Sequence, residues 1–189
     1  SSCVLSGPAC SMISPIEVVL FDLGNTLFYD NAAAWPRVYA RAEAALWRVL
    51  RGSGVTAAPP TVYGKPDTLL SHYYAIRGAG VDEPGTFKVL RDLLLSRAPG
   101  IPDASLARAL QTMYRETQTN WKVERDAAST LRELQKRGFR IGAISNGSYD
   151  WNALELLHRA GLRKYFEMVL TSDAHGRRKP DPSIFQAVL

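Results

Sequence analysis

Three polar positions follow apolar stretches. Asp22 stands behind Val18-Val19-Leu20-Phe21, Ser145-Asn146 closes the run Phe139–Ser145, and Lys179 comes after Phe166–Leu170. A carboxylate can attack phosphorus. A hydroxyl and the amides at a helix start can hold phosphoryl oxygens. A lysine can neutralise their charge. Each residue alone reads more readily as a turn residue, a helix cap or a surface side chain. Their order and spacing together point to phosphoryl chemistry.

The elements around them must bring these three together. Val18–Phe21 is apolar on both faces and ends in an acid, which reads as a central parallel strand. Leu23-Gly24-Asn25-Thr26 is a loop. Asp126–Arg137 is an amphipathic helix closed by Gly138, Phe139–Ser145 a strand, Asp150–Ala160 a helix closed by Gly161, and Phe166–Leu170 a third strand. This alternation predicts a parallel sheet covered by helices, with ligands at the carboxyl ends of its strands.

Between these parts the pattern is helical. Trp35, Val38, Tyr39, Ala42, Leu46, Val49 and Leu50 recur at steps of three and four. Further helices are expected near Asp67–Arg77, Pro84–Arg97 and Asp103–Thr119, after a loop from Gly54 to Pro66, with no strand from Asn31 to Asn120. The predicted division is an extension over 1–15, an α/β core from 16–30 and 121–189, and a helical insertion over 31–120. A last helix begins near Asp181.

Composition narrows the classes. The chain has 189 residues, 46% hydrophobic and 22% charged, a globular balance. Its longest apolar runs are too short to span a membrane. The net charge of +5 is spread among acids, and the densest basic run is Arg177-Arg178-Lys179, so a solvated surface is expected rather than a nucleic-acid patch. Cys3 and Cys10 offer neither a disulfide framework nor a zinc pattern, and a reduced cytoplasmic setting is the expectation. Ser1–Ser11 reads as an upstream remnant before Met12. His72, His158 and His175 form no ligand pair, and Trp35, Trp47, Trp121 and Trp151 are expected in packing. Tyr73-Tyr74 reads as core.

At this point the sequence resembles the haloacid dehalogenase superfamily. Val18-Val19-Leu20-Phe21-Asp22-Leu23-Gly24-Asn25-Thr26-Leu27, Ile141-Gly142-Ala143-Ile144-Ser145-Asn146-Gly147 and Lys179-Pro180-Asp181-Pro182-Ser183-Ile184-Phe185 look like the family's first three motifs, in order. The resemblance implies a Rossmann-like parallel sheet with helices on both faces and an inserted all-helical cap domain. It implies Asp22 as nucleophile, forming an aspartyl ester. Ser145 and the Asn146 amide would hold the transferred group, Lys179 would hold nucleophile and substrate oxygens, and Thr26 would steady the first loop. In the family's phosphatases the cofactor is Mg²⁺, here contacting the Asp22 carboxylate and the Gly24 backbone carbonyl. The implied partner is a small phosphate ester.

Two departures qualify the resemblance. The family's phosphatases carry a proton-shuttling Asp where Gly24 stands. That loss favours leaving groups needing no proton, such as aryl or acyl phosphates, with Asp30 an unplaced substitute. Nothing after Lys179 supplies the acidic fourth motif, so a chain truncated at its carboxyl end, or completed by a partner, is expected, with poor Mg²⁺ binding and weak turnover on its own. A 2-haloacid dehalogenase with Arg37 or Arg41 cradling halide, and a non-catalytic binding module, are the alternatives.

Overall fold

A computed structural model of the chain describes residues 16–56, 61–62, 65–66, 68–95 and 98–188. The expectations for 1–15, both cysteines included, lie outside the described residues, as does part of the Gly54–Pro66 loop. In chain order, β1 (Val18–Phe21) leads to β2 (Phe28–Asp30), and α1 (Trp35–Gly52) to β3 (Thr61–Val62) and β4 (Lys65–Pro66). The helices α2 (Leu69–Arg77), α3 (Thr86–Leu95) and α4 (Asp103–Gln118) follow, then β5 (Trp121–Val123), α5 (Ala127–Lys136) and β6 (Arg140–Ser145). The chain continues through α6 (Asp150–Arg159), β7 (Met168–Thr171), α7 (Ser172–His175) and α8 (Ser183–Gln186). Among the described residues no helix is long and apolar enough to cross a membrane.

The main sheet has the order β1-β6-β7 and both pairings are parallel. Phe21 lies beside Ala143, and Ser145 beside Thr171, so the carboxyl ends of the three strands finish together. Right-handed crossovers that step the same way across a sheet put their helices on one face. Accordingly Leu131 of α5 and Leu157 of α6 bury against Ile141 and Ala143. On the other face Val188, just after α8, shares a hollow with Val18, Leu20, Gly142 and Met168. The expected strand over Phe166–Leu170 starts later, at Met168, because Arg163–Tyr165 takes a 3-10 turn that leaves Phe166 packed in the core.

The helices α1 to α4 enclose a second core. Leu46, Leu50, Leu90, Leu94, Leu110 and Met113 are essentially without exposure there. Burying each such side chain is worth about 1.5–3 kcal/mol. Pro36 stands in the first turn of α1, where its missing N–H costs nothing. Thr68 caps α2 by accepting from the Ser71 N–H at 3.0 Å. The helix expected from Pro84 begins at Thr86 instead.

Two strand pairs were not expected. The short antiparallel pair β3–β4 contradicts a strand-free stretch from Asn31 to Asn120. Each of its strands has two residues, too few to show an alternating pattern. Antiparallel pairing of β2 with β5 joins Phe28 to Val123, Tyr29 to Lys122 and Asp30 to Trp121. Thus the chain's passage out of the sheet region and its return are hydrogen-bonded to each other.

Candidate active site

Asp22 leaves the end of β1 and enters a tight turn. The N–H groups of Leu27 and Phe28 both donate to the Leu23 carbonyl, at 2.9 and 3.0 Å, and Asn25 donates to the Phe28 carbonyl at 2.7 Å. Asn25 has φ of 57°, a left-handed conformation that Asn accepts more readily than most residues. The turn fixes the Leu23 N–H, which donates to Asp22 Oδ1 at 2.8 Å. The Asp22 side chain is therefore oriented by its own backbone.

Lys179 arrives from the segment after α7. Its Nζ lies 2.8 Å from Asp22 Oδ1 and donates to the Ile144 carbonyl at 2.9 Å. Asn146 holds the Lys179 backbone from both sides: its Oδ1 accepts from the Lys179 N–H at 2.7 Å, and its Nδ2 donates to the Lys179 carbonyl at 3.1 Å. The Asp22 side chain is 43% exposed and that of Lys179 21%, so the pair faces solvent through an open mouth.

Asp22, Ser145, Asn146 and Lys179, with Gly24 and Gly147, line one cavity of about 280 Å³. The structure thus brings together all three strand-end positions. Thr26 it does not bring in: the residue is exposed in the turn and absent from the cavity wall. Neither Asn146 nor Ser145 caps α6. That role falls to Asp173, whose Oδ2 accepts from the Asp150 N–H at 2.7 Å. Burial pushes the Asp173 carboxyl up, against the Asp150 N–H bond that pulls it down, with the nearby Glu83 and Asp150 charges adding to the rise.

The rest of the wall is apolar and aromatic. Phe28, Trp121, Tyr149, Ala153 and Leu156 line it with Leu23. Trp121, read from sequence as a packing residue, thus borders the cavity directly. Its ring comes within 3.5 Å of where a Cβ on Gly24 would stand. A Trp three residues from a helix end carries no periodic signal that would aim it at the site. Asp30 accepts from Trp35 Nε1 at 2.9 Å and does not line the cavity. Arg41 pairs with Glu116 at 3.3 Å and donates to Thr119, and neither Arg37 nor Arg41 lines the wall.

Behind the cavity runs a buried polar seam between the helical block and the sheet. Glu83, 9% exposed, accepts from Tyr73 at 2.7 Å through Oε1 and from Ser172 at 2.8 Å through Oε2. Ser172 Oγ also lies 3.2 Å from the Gly147 carbonyl. The Thr86 N–H donates to the Ser148 carbonyl at 2.7 Å, and the Tyr114 hydroxyl lies 2.7 Å from Ser148 Oγ. Burial raises the Tyr73 and Tyr114 phenols well above their ordinary range, keeping both protonated. Sequence reading missed Glu83, because a glutamate beside a proline in a loop looks solvated. Tyr73 is in the core as expected, while Tyr74 is 48% exposed.

Among the described residues no group of three or more His, Cys, Asp or Glu side chains stands together as a metal cage. Mg²⁺ is commonly held by one or two carboxylates, with waters and substrate phosphate completing its shell. Asp22 and Gly24, the two residues that would hold Mg²⁺, both line the cavity, and Asp22 is the one carboxylate among the described residues of its wall.

A family model described as haloacid dehalogenase-like hydrolase matches residues 16–189. Haloacid dehalogenase-like hydrolase domain-containing protein 3 of Homo sapiens is 41% identical over 93 residues, 48% of this chain and 36% of that protein. The chain therefore aligns over about a third of the length of that relative and its bovine counterpart. The glyceraldehyde 3-phosphate phosphatase of Methanopyrus kandleri is 30% identical over 173 residues, 90% of this chain and 67% of that protein. A predicted phosphoglycolate phosphatase from Haemophilus somnus superposes with a TM-score of 0.50 at 17% identity, over 92% of this chain and 70% of that one, a likeness of fold.

Proposed function

The chain belongs to the haloacid dehalogenase-like hydrolases, and from that membership we propose a phosphatase that acts on a small phosphorylated metabolite through an ester on Asp22. The observation that carries this reading is the 2.8 Å contact between Lys179 Nζ and Asp22 Oδ1 at the mouth of a cavity shared with Ser145. The phosphatase named among the relatives adds to it.

In this reading an Asp22 carboxylate oxygen attacks phosphorus, forming an O–P bond as the bond to the leaving oxygen breaks. Ser145 donates its hydroxyl to a phosphoryl oxygen, and Lys179 offsets negative charge on nucleophile and substrate. Water then attacks phosphorus and frees the Asp22 carboxylate. Of the two protons of that water, one stays on the phosphate product and the other ends on the departed leaving group or in solvent. Mg²⁺, held by the Asp22 carboxylate and the Gly24 carbonyl, would supply further charge neutralisation when bound. The helical block over 31–120 acts as a cap that limits water at the cavity.

Gly24 shapes the substrate range. Among the cavity-lining residues Asp22 is the sole carboxylate, so none remains to protonate a departing alkoxide. Leaving groups that depart as stable anions, aryl and acyl phosphates, are favoured over alkyl esters.

The test is release of inorganic phosphate from aryl, acyl and alkyl phosphates with Mg²⁺ present, comparing the unaltered chain with Asp22→Asn. Hydrolysis lost in the variant supports the reading. Hydrolysis that persists at full rate in Asp22→Asn overturns it. EDTA separates the chemistry further, because phosphatase turnover falls with metal removal and dehalogenation does not.

A further inference from the structure

We propose that the cavity selects monophosphate esters whose leaving group is a flat aromatic ring, with Trp121 and Tyr149 as the side chains that recognise it. The proposal rests on the phosphatase reading for its chemistry, but its recognition claim stands on the cavity wall.

Three observations support it. The first is the wall's composition. Beyond the reacting cluster the lining is Leu23, Phe28, Trp121, Tyr149, Ala153 and Leu156, with Asn152 as its one carboxamide. Its Oδ1 already accepts from Gln118 Nε2 at 2.9 Å, and Gln118 in turn accepts from Arg159 at 2.9 Å. A sugar or polyol would bury hydroxyls here with few partners, at a cost for each unpaired group.

The second is charge. Among the described residues Lys179 is the one cation in the lining, and Asp22 and the Ile144 carbonyl already hold it. One phosphoryl group can share it. A second anionic group on the same substrate, a carboxylate or another phosphate, meets no cation on this wall.

The third is bracing. Trp121 packs edge-on against Trp35 with ring centroids 5.8 Å apart, and Trp35 stacks on Tyr39 at 4.8 Å. The Trp35 indole is fixed by its bond to Asp30. Tyr149 stacks on Tyr114 at 5.5 Å, and the Tyr114 hydroxyl is bonded to Ser148 and lies 3.1 Å from Thr86 Oγ1. Both rings are therefore held before a ligand arrives, which spares the ordering cost of binding. Trp121 lies beside Gly24, two residues from Asp22, which puts an aromatic leaving group on a phosphate held at Asp22 within its reach. A volume of about 280 Å³ accommodates a single ring.

The change in the phenyl phosphate to acetyl phosphate ratio between parent and variant reads aromatic recognition, since the difference in leaving-group ability is common to both proteins and only one leaving group is aromatic. Phenylphosphonate and methylphosphonate, which cannot be hydrolysed at the P–C bond, read binding alone. The full chain is expected to bind phenylphosphonate about tenfold more tightly than methylphosphonate by titration calorimetry, with or without Mg²⁺. Trp121→Leu should shrink that preference to about twofold and lower the phenyl-to-acetyl ratio of kcat/KM by a similar factor, while Trp121→Phe restores most of it. Circular dichroism confirms that each variant is folded, and Tyr149→Leu provides an independent second variant. Equal affinity for the two phosphonates, no binding of either, or a preference unmoved in the folded Trp121 and Tyr149 variants overturns the proposal. If phenylphosphonate binds preferentially but no phosphate ester is hydrolysed, recognition stands and the phosphatase reading fails.

Discussion

At the ends of β1 and β6 the polar side chains are held by backbone groups, whereas the helical block meets the segments behind the cavity through side chains distant in sequence. Asp22 takes the N–H of the next residue, and Lys179 takes the carbonyl of Ile144. Glu83 instead depends on the hydroxyls of Tyr73 and Ser172, and Ser148 on those of Tyr114 and Thr86. Backbone partners survive substitution of the residues that carry them. Side-chain partners do not. Changes in the strand-end cluster should therefore cost rate with little loss of stability, and changes in the seam should cost stability first.

The largest expected effect is at Asp22. Asp22→Asn keeps the shape of the side chain but removes the nucleophile, and hydrolysis of phenyl phosphate should fall about 10⁴-fold. The melting temperature should barely move. A variant that loses its fold instead would break the contrast between the two regions.

Glu83→Ala tests the other side. It leaves the Tyr73 hydroxyl buried without its acceptor and Ser172 with the Gly147 carbonyl alone. Hydrogen bonds to charged groups are worth about 1.5–3 kcal/mol each, so a loss near 3 kcal/mol is expected. For a chain of this size that lowers Tm by about 6–12 °C. A calorimetric scan reads it. A shift under about 2 °C would mean that the seam carries little weight.

Gly24→Asp sharpens the comparison by adding a proton donor to the cluster. The backbone there permits a side chain, and a new Cβ would sit in ordinary contact with Trp121 at 3.5 Å. Alkyl phosphate hydrolysis should rise about 10²-fold relative to phenyl phosphate. No gain in that ratio would remove the missing acid as the reason for leaving-group preference.

The smallest effect is a pH dependence. The Asp173 carboxyl is raised, chiefly by burial. Its contribution to stability is thus complete below the ordinary carboxylate range and is lost as pH rises through the raised value. Asp173→Asn should flatten that decline in melts taken from about pH 4 to about pH 7. An unchanged slope would assign the decline to other groups.

The sheet and the strand-end cluster were legible because their signals are dense and local. Val18–Phe21 and Ile141–Ile144 are unbroken apolar runs, and Gly138 and Gly161, with φ of 85° and 68°, mark the ends of α5 and α6 as expected. What stayed hidden was assembled across long separations. The β2–β5 pair joins three-residue strands some ninety residues apart, too short for periodicity. Glu83 is buried only because α7 folds over it, and Trp121 borders the cavity only because β5 returns beside β2. Thr26, which the motif implies as steadying the first loop, stands exposed in that turn and off the cavity wall.

Because Phe28, Tyr29 and Asp30 pair in register with Val123, Lys122 and Trp121, the two connections to the helical block behave mechanically as one ribbon. Two separate tethers would let the block slide, one strand lengthening against the other. A ladder of inter-strand hydrogen bonds resists that shear and leaves bending across the ribbon's plane as the soft coordinate. Trp121 is itself a rung of this ladder. Its indole is mounted on the ribbon and braced by Trp35 of α1, so the ladder and the helix together set the gauge between Trp121 and Gly24.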